Sequence, residues 1–157
     1  MREILVRALI SGTLAAAAVT VVASIASRRK TGSYPAAINA TSHFLWNQRA
    51  AEQDDYSWKY TATGFATNWA ASLFWALFYE ALRSKKPRTG EAALRAVVMS
   101  AAAYVTDYHL VPKRLTPGFE LRLPRLMLLP IYAALALGLA APDLLRAATA
   151  IAASSRS

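Results

Sequence analysis

Long apolar runs, each closed by a short polar or basic block, set the pattern of this chain. A helix needs about 20 mostly apolar residues to cross a hydrocarbon core of about 30 Å. Four stretches approach that length, at about 5–27, 60–82, 92–111 and 121–141. The first carries no charge after Arg7, and the second is uncharged from Tyr60 to Tyr79. The third contains Arg95, Asp107 and His109, and the fourth contains Arg122 and Arg125 near its start. Arg95, Arg122 and Arg125 sit near the expected ends, where long side chains snorkel to headgroups. Pro130 is compatible with a membrane helix, whose neighbours satisfy the freed carbonyl.

The connections differ in kind. Residues 84–90 (SKKPRTG) form a tight basic turn with Pro and Gly as breakers. Residues 111–120 (VPKRLTPGFE) carry two prolines and a Thr-Pro-Gly-Phe turn signal. Between the first two spans, residues 35–47 are too short to cross a membrane. They read as one short helix, interfacial or re-entrant, with Ile38, Leu45 and Trp46 among Asn39, Ser42 and His43. After Pro142 the tail, 142–157, reads as a separate amphipathic helix with a frayed end. The expected fold is therefore an all-α membrane protein in one domain, four transmembrane helices in a bundle plus the short helix. The apolar run of the first segment exceeds a signal-peptide core of about 7–15 residues, so it reads as an uncleaved span.

Composition agrees. Hydrophobic residues make up 55% of the 157 and charged ones 17%, against about 45–50% and about 25% in soluble domains. The net charge of +9 would suggest nucleic acid in a soluble protein. Here the basic residues flank apolar runs, as in Arg28-Arg29-Lys30 and Lys113-Arg114, so the expected partner is the lipid bilayer and no nucleic acid. With an even number of spans, both termini and the 84–90 turn share one side. Basic residues divide almost evenly between the sides, and the purely basic turn tips the expectation toward cytoplasmic termini. The absence of cysteine excludes disulfides and thiol chemistry.

Small and hydroxyl residues mark packing seams. Thr13, Ala17, Thr20 and Ser24 form one stripe, with Gly12 and Ala16 as a small-xxx-small pair. Gly64, Asn68, Ser72, Trp75 and Tyr79 form another. Asn68, deep in the second span, must face the bundle and find a partner. Asp107 and His109 are ionisable groups within a span, which makes them site candidates. Two residues apart, they lie about 200° around a regular helix, so they cannot share an interior. Asp107 is expected to pair with a loop cation such as Lys113 or Arg114. Glu80 is expected to pair at the surface with Arg83. Asn39 and His43, four apart, share a face, which offers His43 to Asp107, Glu80 or Glu120, or leaves it as a plug bonded to loop backbone. No HExxH, paired Glu-x-x-His, phosphate loop or nucleophile elbow is present, so no metal or cofactor is called.

Three stretches taken together carry a resemblance: 35–46 (PAAINATSHFLW), 74–80 (FWALFYE) and 104–120 (YVTDYHLVPKRLTPGFE). They resemble small multi-pass bacterial inner-membrane proteins for which no activity is established. The resemblance implies a bacterial inner-membrane location and implies no activity. The expected role is non-enzymatic: structural, accessory or stress-related, with association with itself or a larger membrane complex. One alternative is a proton or small-solute carrier or channel using Asp107, His43, Glu80 and Asn68. The other is a membrane-embedded, metal-dependent enzyme using His43, His109, Glu80, Asp107 and Glu120.

Overall fold

The computed structural model describes residues 1–84 and 89–154, and those residues form helices and turns with no strand. Four long helices dominate: α1 (Arg2–Thr31), α5 (Thr63–Ala81), α6 (Thr89–Val105) and α7 (Leu128–Ser154). Three short ones, α2 (Ala36–Ala40), α3 (His43–Trp46) and α4 (Gln48–Ala51), lie between α1 and α5. Two of the long helices, Arg2–Thr31 and Arg125–Thr149 (α7 with the turn before it), are long and apolar enough to cross a membrane. The basic turn falls mainly on 85–88, and the end of the tail on 155–157, both outside the described residues.

Helix α1 lies between α5 and α7, while α6 packs on α7; α5 and α7 scarcely meet. The pairings Thr20 with Asn68, Thr13 with Trp69 and Gly12 with Ala76 set α5 antiparallel to α1, and Ser27 accepts from the Ala37 N–H of α2. Helix α7 is antiparallel to α6, because Tyr132 meets Ser100 and Asp143 meets Arg95. One end of the packed helices therefore holds Met1, the end of α5, the start of α6 and the end of α7. The other end holds α2, α3, α4 and the 111–127 connection.

Small residues bring these helices together. The inner face of α1 is Ala8, Ser11, Gly12, Ala15, Ala16, Val19, Ala23, Ala26 and Ser27. A Cβ on Gly12 would lie 2.8 Å from Leu73 Cδ2 on α5, and one on Gly138 of α7 would lie 2.3 Å from Ala15 Cα. These crossings have no room for side chains, as in close-packed membrane helices. Large apolar residues point outward instead, including Leu9 and Val21 on α1, Phe74 and Phe78 on α5, Leu94 and Val97 on α6, and Leu129 and Leu137 on α7. The seam on α5 matches the sequence pattern, with Gly64, Asn68, Ser72 and Tyr79 all buried. On α1 the Gly12–Ala16 pair lies in the seam, Thr13 and Thr20 bond at its edge, and Ala17 faces outward.

Four departures from the sequence reading have physical causes. The 35–47 helix is broken into α2 and α3, because the Thr41 and Ser42 hydroxyls donate to the Ile38 and Asn39 carbonyls three residues back. Moreover, α2 is wholly buried rather than at a surface. It is held between α5 and the 111–127 connection: a Cβ on Gly64 would stand 1.9 Å from the Ile38 carbonyl oxygen, and one on Gly118 2.5 Å from that of Ala40. Residues 121–127 are not helical span but turns, and α7 begins at Leu128. Arg122 does not snorkel; it donates to the Ala51 carbonyl (2.8 Å) and to Asp54, clasping α4. The fourth departure is Pro142, which does not end the helix. α7 passes through it to Ser154, losing the hydrogen bond to the Gly138 carbonyl.

Candidate functional site

Two polar clusters lie inside the bundle, one near each end. The first surrounds a cavity of about 230 Å³ at the end that carries α2 and α3. It forms where α5 and α7 part, and Val19 of α1 closes its back. Asn68, Ser72 and Trp75 line it from α5, Ile131 and Tyr132 from α7, and Asp107 from beyond the end of α6. Thr41 and Phe44 roof it, together with Thr116, Pro117 and Phe119 of the connection.

Local backbone explains how Asp107 arrives there. Residues Thr106–Leu110 form a π-helical turn closing α6, and Pro112 prevents continuation. Asp107 turns inward and accepts a hydrogen bond from the Tyr132 hydroxyl at 2.5 Å. His109 turns outward and is exposed, its ring 5.9 Å from that of Tyr104, five residues earlier. The expected division between Asp107 and His109 therefore holds. The expected pairing of Asp107 with Lys113 or Arg114 does not. Arg114 Nε donates to the Phe44 carbonyl at 3.3 Å, and Lys113 supplies its carbonyl to His43.

Glu120 lies beside the cavity wall. It accepts from Tyr108 at 3.2 Å and from the Thr116 hydroxyl. Asn68 Nδ2 donates to the Ala16 carbonyl and to Thr20 Oγ1, both at 3.1 Å, which supplies the interhelical partner its depth requires.

His43 does not meet Asp107, Glu80 or Glu120. Its Nδ1 lies 3.1 Å from the Ala40 carbonyl and its Nε2 3.3 Å from that of Lys113, so it plugs the joint between α3 and the connection. Asn39 is likewise structural. Its Nδ2 donates to the Gln53 and Asp55 carbonyls (3.0 and 2.9 Å), and its Oδ1 accepts from Thr61 at 2.6 Å. Among the described residues no three His, Asp or Glu side chains gather in a group that could hold a metal ion.

The second cluster lies near the opposite end, on Asp143. Arg83 Nη1 stands 2.5 Å from its Oδ1; Arg95 Nη2 and the Tyr79 hydroxyl stand 3.2 and 3.1 Å from its Oδ2. The Arg95 guanidinium also lies 4.2 Å from the centre of the Tyr79 ring. Glu80 lies 3.6 Å from Arg83 and Glu91 3.7 Å from Arg95. The Glu80–Arg83 pair thus forms as expected, but Glu80 is buried, not superficial. Arg95, expected to snorkel, is buried against Asp143. Several of these contacts are ion pairs by distance and poor hydrogen bonds by direction. Asp143 Oδ1, Glu80 Oε2 and Arg95 Nε and Nη1 are buried without hydrogen-bond partners. Charge opposes charge here, and the group pins α5, α6 and α7 together.

Sequence reasoning missed Asp143 and Tyr132. Asp143 was hidden by treating Pro142 as the end of a span, although intramembrane acids are site candidates by default. Tyr132 is a polar residue early in the apolar run 128–141, a signal of the same kind. Comparison of the chain with protein-family models, with curated proteins and with solved structures found no match.

Proposed function

We propose that this chain is a four-span, non-enzymatic protein of the bacterial inner membrane that holds a small solute in the cavity bounded by α1, α5 and α7. The observation that carries the reading is the cavity itself, with the Asp107 carboxylate and the Asn68 amide in its wall. Support for four spans comes from the outward faces. Helices α5 and α6 present Phe74, Phe78, Leu94 and Val97 away from a core of Ala, Ser and Gly. A monomer in water rarely exposes continuous apolar surface on every side. Lipid accepts it, and small residues then supply the helix contacts. Tyr34, Tyr56 and Trp58, exposed near the α2 end, fit an interfacial aromatic belt. In this reading both termini lie on the cytoplasmic side and the cavity lies near the other, beneath its roof of Thr41, Phe44 and Phe119.

Below the cavity Ala76, Tyr79 and Leu139 are fully buried. Such a plug fits a binding protein or a carrier at rest better than an open channel. A structural, accessory role is the second reading, favoured by the Asp143 cluster that pins three helices.

The lack of native cysteine makes the test direct. A membrane-impermeant maleimide should label Gln53→Cys and Ser84→Cys from opposite sides. Ser72→Cys, in the cavity wall, should react with a small aqueous thiol reagent from the Gln53 side alone. Labelling of Gln53→Cys and Ser84→Cys from one side would sink the four-span arrangement. An inert Ser72→Cys in folded protein would leave the structural role.

A further inference from the structure

The cavity holds a carboxyl group that no cation of the described residues faces. Asp107 lines it and takes its hydrogen bond from a neutral hydroxyl, that of Tyr132. Beside the wall, Glu120 is also held by hydroxyls, those of Tyr108 and Thr116, and Thr116 is itself a wall residue. Among the described residues no Lys, Arg or His lies within ion-pair distance of either carboxylate. The chain has 18 Lys and Arg for nine acids, so a shortage of cations is not the cause. The buried acids at the other end, Asp143 and Glu80, both have guanidinium neighbours. Near the cavity, Arg114 and Arg122 are engaged by the carbonyls of Phe44 and Ala51.

A carboxylate removed from water without a countercharge is costly, and the cost falls when a cation arrives. The rest of the wall narrows the kind of cation. Trp75, Phe44 and Phe119 bring aromatic surface, which attracts alkylammonium groups through the ring quadrupole. Asn68, Ser72 and Thr41 bring oxygens able to accept N–H or O–H donors. A phosphate or carboxylate ligand would meet Asp107 and Glu120 with like charge. A bare divalent metal ion is held best by several carboxylates, and no three His, Asp or Glu side chains gather in a metal-binding group among the described residues.

We propose that the solute is an organic ammonium ion, its charged head against Asp107 and its apolar body against Trp75 and Phe119. This rests on the solute-binding reading above and names its ligand class. In the bound state Asp107 keeps the Tyr132 hydrogen bond on one oxygen and offers the other to the ammonium. Asp107 and Tyr132 are then binding residues, and Glu120 acts through its field.

The test uses the full chain purified in detergent micelles, with empty micelles as the blank. Benzylamine and choline are titrated by calorimetry beside their uncharged counterparts, benzyl alcohol and 3,3-dimethylbutan-1-ol. At least one ammonium ion should bind tenfold or more tightly than its counterpart. Asp107→Asn should remove that preference, and Asp107→Glu should retain part of it. Equal binding of charged and uncharged compounds overturns the ammonium inference and leaves the solute reading standing. A preference that survives Asp107→Asn overturns it too, because the charge would be read elsewhere. No binding by any of the four, with Ser72→Cys reactive, overturns the inference alone; with Ser72→Cys inert, both readings fall.

Discussion

Gly138 of α7 lies so near Ala15 of α1 that a Cβ on Gly138 would stand 2.3 Å from the Ala15 Cα and 2.6 Å from its nitrogen. Neither backbone atom can yield without moving its helix. Gly138→Ala should therefore cost about 1–3 kcal/mol, the range for overpacking a close contact. Gly90→Ala is the matched control, since a Cβ there meets nothing within 4 Å. It should be neutral or add up to about 1 kcal/mol of helix propensity. Equilibrium unfolding in mixed micelles of rising SDS fraction reads both. Equal behaviour of the two variants would count against the close α1–α7 crossing.

The Asp143 cluster predicts a non-additive pair. Asp143→Ala alone leaves Arg95 and Arg83 with only their longer contacts to Glu91 and Glu80, a loss of up to about 3–5 kcal/mol. Adding Arg95→Met removes one of the stranded guanidinium groups. The double variant should thus be less damaged than the sum of the singles, by about 0.5–3 kcal/mol. Additive losses in the same SDS titration would mean that Asp143 and Arg95 are not coupled.

Asn39 anchors the stretch after α4 through its bonds to Gln53, Asp55 and Thr61. Asn39→Ala removes three bonds to partly exposed groups, at about 1–3 kcal/mol. Because the loss is local, it should appear first as faster trypsin cleavage after Arg49 or Lys59, by several-fold. Unchanged cleavage would show that the stretch is held by other contacts.

Gly64 and Gly118 should act on the same element from opposite sides. Gly64→Ala drives a Cβ into the Ile38 carbonyl. Gly118→Ala meets Ala40 and must also hold a φ of +88°, which disfavours any residue with a side chain. Either variant should expose α2, detected as faster amide hydrogen exchange across 36–40, with α7 unchanged. Protection of that segment in both variants would contradict its burial.

Much of the architecture was legible because it depends on local pattern. The four apolar runs, the Gly64–Tyr79 seam and the inward Asn68 follow from side-chain size at helical spacing. The break in 35–47 was less legible, because hydroxyl back-bonding at Thr41 and Ser42 acts together with distant Gly64 and Gly118. The site was half legible. Asp107, Asn68 and Glu120 were named, and the structure brings them to or beside one cavity. Their partners were not named, because Tyr132 lies 25 residues beyond Asp107, on another helix. Asp143 is further from view, bonded to Arg95 and Tyr79 across 48 and 64 residues. No periodicity within a single helix encodes such pairings.

The clamp on α2 also imposes an order of assembly. Gly64 belongs to α5, made before α6, but Gly118 is made only after α6. A nascent chain that has reached Ser84 holds α1, α2 and α5, with α2 supported on one flank and bare on the other. The roof of the cavity therefore cannot close before the whole of α6 and the turn beyond it have emerged, and the α7 wall with Ile131 and Tyr132 comes later still. Chains stopped at Ser84 should keep α1 paired with α5 and Asn39 bonded to Gln53, Asp55 and Thr61, and should leave His43 without the Lys113 carbonyl.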